Sequence, residues 1–210
     1  MTSWNPEKLR DFFYYYDRNN PDHRAAVDLL QNTVSEVMND DADWVKVYRG
    51  EPGSTNCLER AVEIISEFEG FEPLPYLCPA GVWTIGFGTT YYPDGSKVSE
   101  EDPEISRAKA SEFLEDHISK HINPRLSQTV PTWGILNSNQ KAALISFAYN
   151  LGANFYGNSG FYTISKALST PGWLQKVPSA LMLYINPGSS FEAGLRRRRS
   201  AEVDLWMKTT

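Results

Sequence analysis

The chain has 210 residues, 41% hydrophobic and 22% charged, with no low-complexity tract, so wholesale disorder is excluded and one domain with a substantial extension is expected. With 20 basic against 26 acidic residues the net charge is -6, which argues against a nucleic-acid partner. No apolar run reaches the ~18 residues that a membrane-spanning helix needs, and Glu7, Lys8, Arg10 and Asp11 stand where a signal peptide would be apolar. Synthesis in the cytoplasm, without a transmembrane segment, is therefore expected.

Residues 1–57 read as an N-terminal helical extension with 6 basic and 10 acidic residues. Asn19-Asn20-Pro21-Asp22 is a turn and helix start, after which Ala25, Leu29, Val34 and Met38 fall at roughly helical spacing. The aromatic run Phe12 to Tyr16 is expected to pack inward rather than to form a wall-binding surface. Loop chemistry from Glu51 to Asn56 marks the boundary, and residues 58–210 form the second unit.

From Leu58 the punctuation sharpens. Ala61, Ile64, Ile65 and Phe68 predict a helix that ends at Gly70 as its C-terminal cap. Trp83, Thr84, Ile85, Phe87 and Tyr91, with glycines at 81, 86 and 88 and the turn Pro93-Asp94-Gly95-Ser96, predict a short antiparallel sheet. Asp102-Pro103 reads as a cap and first turn opening a helix through about His121. An apolar helix over Gln140 to Leu151 and further helices to Trp206 follow. The outline is α+β, with a cleft expected between a sheet lobe and a helical lobe.

Glu69 is the first candidate for chemistry. It closes an apolar stripe in the last turn of its helix, where the carbonyl end and partial burial both disfavour a carboxylate. A carboxylic acid kept protonated near neutral pH is what protonating a glycosidic oxygen requires. Taken alone, a Glu at a helix end is more often a solvated surface residue.

The surrounding motifs add weight. Glu69-Gly70-Phe71 leads through Tyr76 to Cys78 and then to Gly81-Val82-Trp83-Thr84-Ile85-Gly86-Phe87-Gly88. This segment resembles the catalytic signature of the phage-type lysozymes, the endolysin muramidases, in which Glu is followed after eight residues by Asp and after five more by Thr. Glu69, Cys78 and Thr84 hold those positions without a gap. Gln140-Lys141-Ala142-Ala143-Leu144 through Phe147-Ala148-Tyr149-Asn150-Leu151-Gly152 resembles the family's central helix. Gly194-Leu195 with Arg196 to Arg199 and Glu202 resembles its C-terminal pattern. The resemblance covers about residues 58–208, and residues 1–57 fall outside it.

The resemblance implies a two-lobed lysozyme-like fold. It also implies hydrolysis of the β-1,4 bond between N-acetylmuramic acid and N-acetylglucosamine in the glycan strands of peptidoglycan, by a monomer without cofactor or metal. Carried over by position, Glu69 is the general acid of an inverting reaction and Thr84 helps hold the attacking water. Cys78 stands where Asp is commoner, although some members also carry Cys there. A thiolate could orient water and offset positive charge in the oxocarbenium-like transition state. An ordinary thiol is mostly neutral at pH 7, and no Lys, Arg or His lies close to Cys78 in sequence. Oxidation, or pairing with Cys57, would remove the group.

Other residues weigh less. His117 and His121, four apart on a predicted helix, lack a third metal ligand. Gly86-x-Gly88 is not a phosphate loop and fits a tight sheet turn or a close approach. Arg196 to Arg199 with Glu202 is expected to form a salt-bridged helix face rather than a polymer-binding patch. Two further readings stay open: a lytic transglycosylase giving 1,6-anhydro products, and an inactive glycan-binding module.

Overall fold

The computed structural model describes residues 57–208. The turn at Asn19 to Asp22, the helix expected after it and the Phe12 to Tyr16 run lie outside the described residues.

Helix α1, Cys57–Phe68, buries Ala61, Ile64 and Ile65 on one face, the stripe that the sequence predicts. It ends one residue before Glu69, whose N–H still donates to the Ile65 carbonyl at 2.9 Å. Gly70 is not the left-handed cap expected of it, since its φ lies outside the positive region. The reason is the short path: the chain enters strand β1, Glu72–Leu77, two residues later. β1 pairs antiparallel with β2, Trp83–Gly86, with Tyr76 opposite Thr84 and Leu77 opposite Trp83. The register shifts between Glu72 and Tyr76, where Pro73 and Pro75 supply no N–H to a ladder.

Beyond β2 the chain folds back tightly. The Ile85 and Thr89 amides and carbonyls exchange hydrogen bonds of 2.9 Å around Gly86-Phe87-Gly88. Gly86 has φ +67, and a Cβ there would meet the Ala110 methyl at 2.9 Å, so this turn presses directly on the next helix. That helix, α2, runs Arg107–His117 and is capped by Ser106, whose hydroxyl accepts from the Lys109 amide. Asp102 therefore does not open it, contrary to the sequence expectation. Its carboxylate is already committed to the Ser99 amide, the Ser99 hydroxyl and the Tyr92 phenol, at 2.8, 3.0 and 2.8 Å. The helical path continues beyond His121, through a π turn at Ile118–Ile122, into α3, Asn123–Thr129. Pro124 accounts for the π turn, because it has no N–H for the carbonyl one turn back.

Helix α4, Ser138–Leu151, begins with a capping box in which Asn137 and Gln140 satisfy each other's amides. Residues Ala142 to Ala148 are all buried, as expected of a helix surrounded by others. α1 and the last helix, α7 (Glu192–Met207), pack on it. Between them come α5, Tyr162–Ala167, a 3-10 turn at Pro171–Lys176, and α6, Val177–Leu181. A two-stranded sheet beside a helical core is the α+β outline expected. The face that α7 turns inward is unusual: Arg198, Arg199 and Glu202 share it with Leu205 and Trp206.

Candidate active site

Glu69 lies where α1 gives way to β1, with about 29% of its side chain exposed. Its Oε1 is gripped by Arg198 Nη1 at 2.6 Å, and its Oε2 makes no hydrogen bond among the described residues. Arg198 is buried, and its Nη2 also donates to the Ser146 carbonyl at 3.2 Å. Its Nε stands 3.4 Å from Glu202 Oε1, which accepts the Ser146 hydroxyl at 2.8 Å. Arg199 completes the cluster, with Nε 2.9 Å from Glu202 Oε2 and Nη2 bonded to both Glu202 Oε1 and Asn150 Oδ1. Burial pushes the Glu202 carboxyl up, with Arg199 and then its other partners acting against it. Arg199 is drawn down to about 10 by desolvation, which Glu202 opposes.

Cys78 and Thr84 come together where the strand pair ends. The Cys78 amide donates to the Val82 carbonyl at 3.0 Å and the Gly81 amide to the Cys78 carbonyl at 2.8 Å, closing a five-residue loop. Its free thiol is held below the ordinary value, first by the Val82 amide and then by the Ala80 amide, with the Thr84 hydroxyl adding to both. The groups that lower it are neutral donors rather than a cation. Thr84 is buried, and the Val82 carbonyl, 3.0 Å from its hydroxyl, competes with the Cys78 sulfur for its single proton.

Two tyrosines connect these halves. Tyr76, opposite Thr84, is raised by burial and then by the charges of Cys78, Glu72 and Glu69, so its phenol lies within the field of both candidate groups. Tyr149 on α4 is raised by burial and then by Glu69. Its hydroxyl donates to the Phe87 carbonyl at 2.7 Å, and Gly88 (φ +105) leaves it room, since a Cβ there would stand 3.1 Å away.

A model of the phage lysozyme family matches residues 66–202, which include all three candidate positions. The chain belongs to the phage lysozyme family. It is 27% identical over 155 residues to the SAR-endolysin of Haemophilus phage HP1, covering 70% of this chain and 78% of that one. To the endolysin of Lactococcus phage c2 it is 30% identical, covering 71% and 59%. Among solved structures, the endolysin of Escherichia coli O157:H7 phage FAHEc1 shares the fold at a TM-score of 0.59 and 24% identity, covering 75% of this chain and 97% of that one. The enzyme is thus a lysozyme-type glycoside hydrolase of lysozyme-like α+β fold, and its substrate is peptidoglycan.

The buried cluster around Glu69 was not expected from the sequence. Arg198 was expected on a salt-bridged face, and the pairing with Glu202 is present, but Arg198, Arg199 and Glu202 are buried rather than on a solvated face. The signal was available: positions 198, 199, 202, 205 and 206 repeat at helical spacing, so the charges share the stripe that holds Leu205 and Trp206. Ser146, a single hydroxyl inside the apolar run of α4, was the other half of it.

The minor candidates separate cleanly. Cys57 and Cys78 are both free thiols, and Cys57 is pushed up by burial while Cys78 is drawn down. The rings of His117 and His121 lie tilted with centroids 5.1 Å apart, and no group of three metal-ligating side chains occurs among the described residues. No described helix is long and apolar enough to cross a membrane.

Proposed function

We propose that the enzyme is an inverting muramidase that cleaves the β-1,4 bond between N-acetylmuramic acid and N-acetylglucosamine, with Glu69 as general acid. The observation that carries this reading is the asymmetric hold on Glu69. Arg198 fixes Oε1, while Oε2 is left without a partner in a partly exposed carboxyl. Oε2 faces no competing partner among the described residues and is open to the leaving glycosidic oxygen. The same guanidinium also contacts Glu202, so one cation serves both carboxyls. Cys78, as thiolate, orients the attacking water with Thr84 and offsets charge at the anomeric carbon. The lowered thiol and the adjoining hydroxyl support that assignment.

Glu69→Gln keeps the shape of the side chain and removes the proton. Release of soluble sugar from purified peptidoglycan should fall by about 100-fold or more. Near-normal release by a folded variant would end the assignment. The products test the outcome of the reaction: water attack leaves a reducing muramic acid, whereas internal attack leaves the 1,6-anhydro form, lighter by one water. Cysteine in place of a second carboxylate is what keeps the transglycosylase reading alive, and mass spectrometry of the products separates the two. Residues 1–57 we assign as a helical extension of the catalytic unit 58–210. A chain starting near Ser54 should melt earlier yet still release sugar.

A further inference from the structure

The chain has three histidines, and two of them, His117 and His121, stand where α2 passes into the π turn Ile118–Ile122. Residues four apart share a helix face, and both side chains are exposed. Their ring centroids lie 5.1 Å apart, with the planes inclined at 46°. The turn between them is closed by its own hydrogen bond, from the Asn123 amide to the Ile118 carbonyl. The backbone that spaces the two rings is therefore held. Neither imidazole makes a hydrogen bond or an ion pair among the described residues.

Tertiary packing orients one of the rings. His117 meets Tyr149 of α4 edge-on, with centroids 5.9 Å apart and the planes at 86°. The Tyr149 hydroxyl is itself anchored on the Phe87 carbonyl at 2.7 Å. The charges beside the pair have partners of their own: Lys120 bonds to Asp116 at 2.8 Å and donates to the Pro93 carbonyl at 3.2 Å. Desolvation, and then His121, draw His117 below its ordinary value, with Asp116 acting against them. An imidazole that stays neutral at pH 7 keeps a nitrogen lone pair free to bind.

We infer that His117 and His121 together chelate a divalent transition-metal ion of the zinc and nickel class, with water at its remaining positions. The spacing fits. Bonds of about 2.0–2.1 Å from one ion to two imidazoles near the tetrahedral angle set the ring centroids about 5 Å apart. Imidazole suits such ions, whereas magnesium and calcium call for oxygen ligands. Two protein ligands leave the ion open to solvent, so the site binds more weakly than a four-ligand structural site and the fold does not require it. A bound ion would hold the His117 ring against Tyr149 and so brace the end of α2 on α4. The site uses neither Glu69 nor Cys78, and it stands whatever their roles in hydrolysis.

The test is Ni2+ binding by the full, untagged chain, followed by titration calorimetry and by the midpoint of thermal unfolding. The parent should bind Ni2+ and melt later in its presence. His117→Gln and His121→Gln should each bind about tenfold more weakly or worse and lose the rise in midpoint. His23→Gln should do neither, and Mg2+ at the same concentration should leave the parent's midpoint where it was. On the unmodified chain, substoichiometric Ni2+ should broaden the ring-proton resonances of His117 and His121 before those of His23, a reading that needs no variant to fold. Unchanged affinity in either His117→Gln or His121→Gln would overturn the chelate, as would a loss confined to His23→Gln. Equal stabilisation by Mg2+ would reduce the effect to general charge and overturn it too. Broadening that begins around Cys57 or Cys78 would give the ion to a thiol and end the inference.

Discussion

Glu69 and Cys78 lie nine positions apart, yet their surroundings are built in opposite ways. Glu69 is held by a charged framework drawn from distant chain: Arg198 and Glu202 on α7 and Ser146 on α4. Cys78 is served by its own neighbourhood, the amides of Ala80 and Val82 and the hydroxyl of Thr84, at the rim of the sheet. The first arrangement is buried except for the Glu69 carboxyl itself, and it fixes one oxygen of that carboxyl. The second lowers a thiol with backbone dipoles, which demands little of the rest of the fold. One is therefore bound up with stability and the other with pH.

The sharpest way to break that contrast is to remove Glu202. Glu202→Leu leaves Arg198 and Arg199 buried with only Glu69, Ser146 and Asn150 to answer them. Removing one partner of a buried ion cluster costs on the order of 3–5 kcal/mol, which chemical denaturation would read directly. A loss below about 1 kcal/mol would mean that the cluster is not the framework described.

On the sheet side the larger effect should be on rate. Cys78→Ser cannot ionise and should lose about 30-fold in turnover on peptidoglycan, near 2 kcal/mol of transition-state stabilisation, whereas Cys78→Asp keeps a substantial share. The pH profile carries a sign. Because the Val82 and Ala80 amides lower the thiol, the thiolate forms below the ordinary ~8.5, and the rising limb of activity should follow that lowered value. Thr84→Val removes one donor and should move the rising limb to higher pH. A limb that stays put in Thr84→Val would detach Thr84 from the anion.

The same contrast decides what could be read in advance. α1, the capped α4 and the strand pair are written locally, in apolar spacing, the Asn137–Gln140 box and the turn glycines. The Cys78–Thr84 pairing is equally local, because a short antiparallel loop brings the two residues together. The partner of Glu69 is 129 positions away, and no spacing near Glu69 announces it. Asp102-Pro103 misled for a related reason: a capping signal competes with any other donor the fold brings near, and here Tyr92 and Ser99 won.

The tether between sheet and helix core offers a smaller perturbation. Gly88→Ala places a side chain at φ +105 and a Cβ 3.1 Å from the Tyr149 hydroxyl, and should cost about 1 kcal/mol or slightly more in thermal unfolding. In a Tyr149→Phe background the contact is relieved while the backbone strain remains, so the cost should shrink without vanishing. A cost unaltered by Tyr149→Phe would place it entirely in the backbone.

The smallest expected effect belongs to Asp102, which separates the sheet-side loop from the buried cluster by pH alone. The Ser99 amide, then the Tyr92 phenol, hold its carboxyl below the usual ~3.9, so the folded state binds its proton more weakly than the unfolded chain does. A depressed carboxyl contributes stability in full above the unfolded value and loses it as pH falls through the folded one. Melting temperature should therefore be insensitive to Asp102 protonation near pH 6 and begin to drop below about pH 4. Asp102→Asn should lower the plateau slightly and flatten this part of the acid limb, because the amide oxygen still accepts from Ser99 but no longer titrates. An acid limb of unchanged steepness in Asp102→Asn would assign the whole of it to other carboxylates.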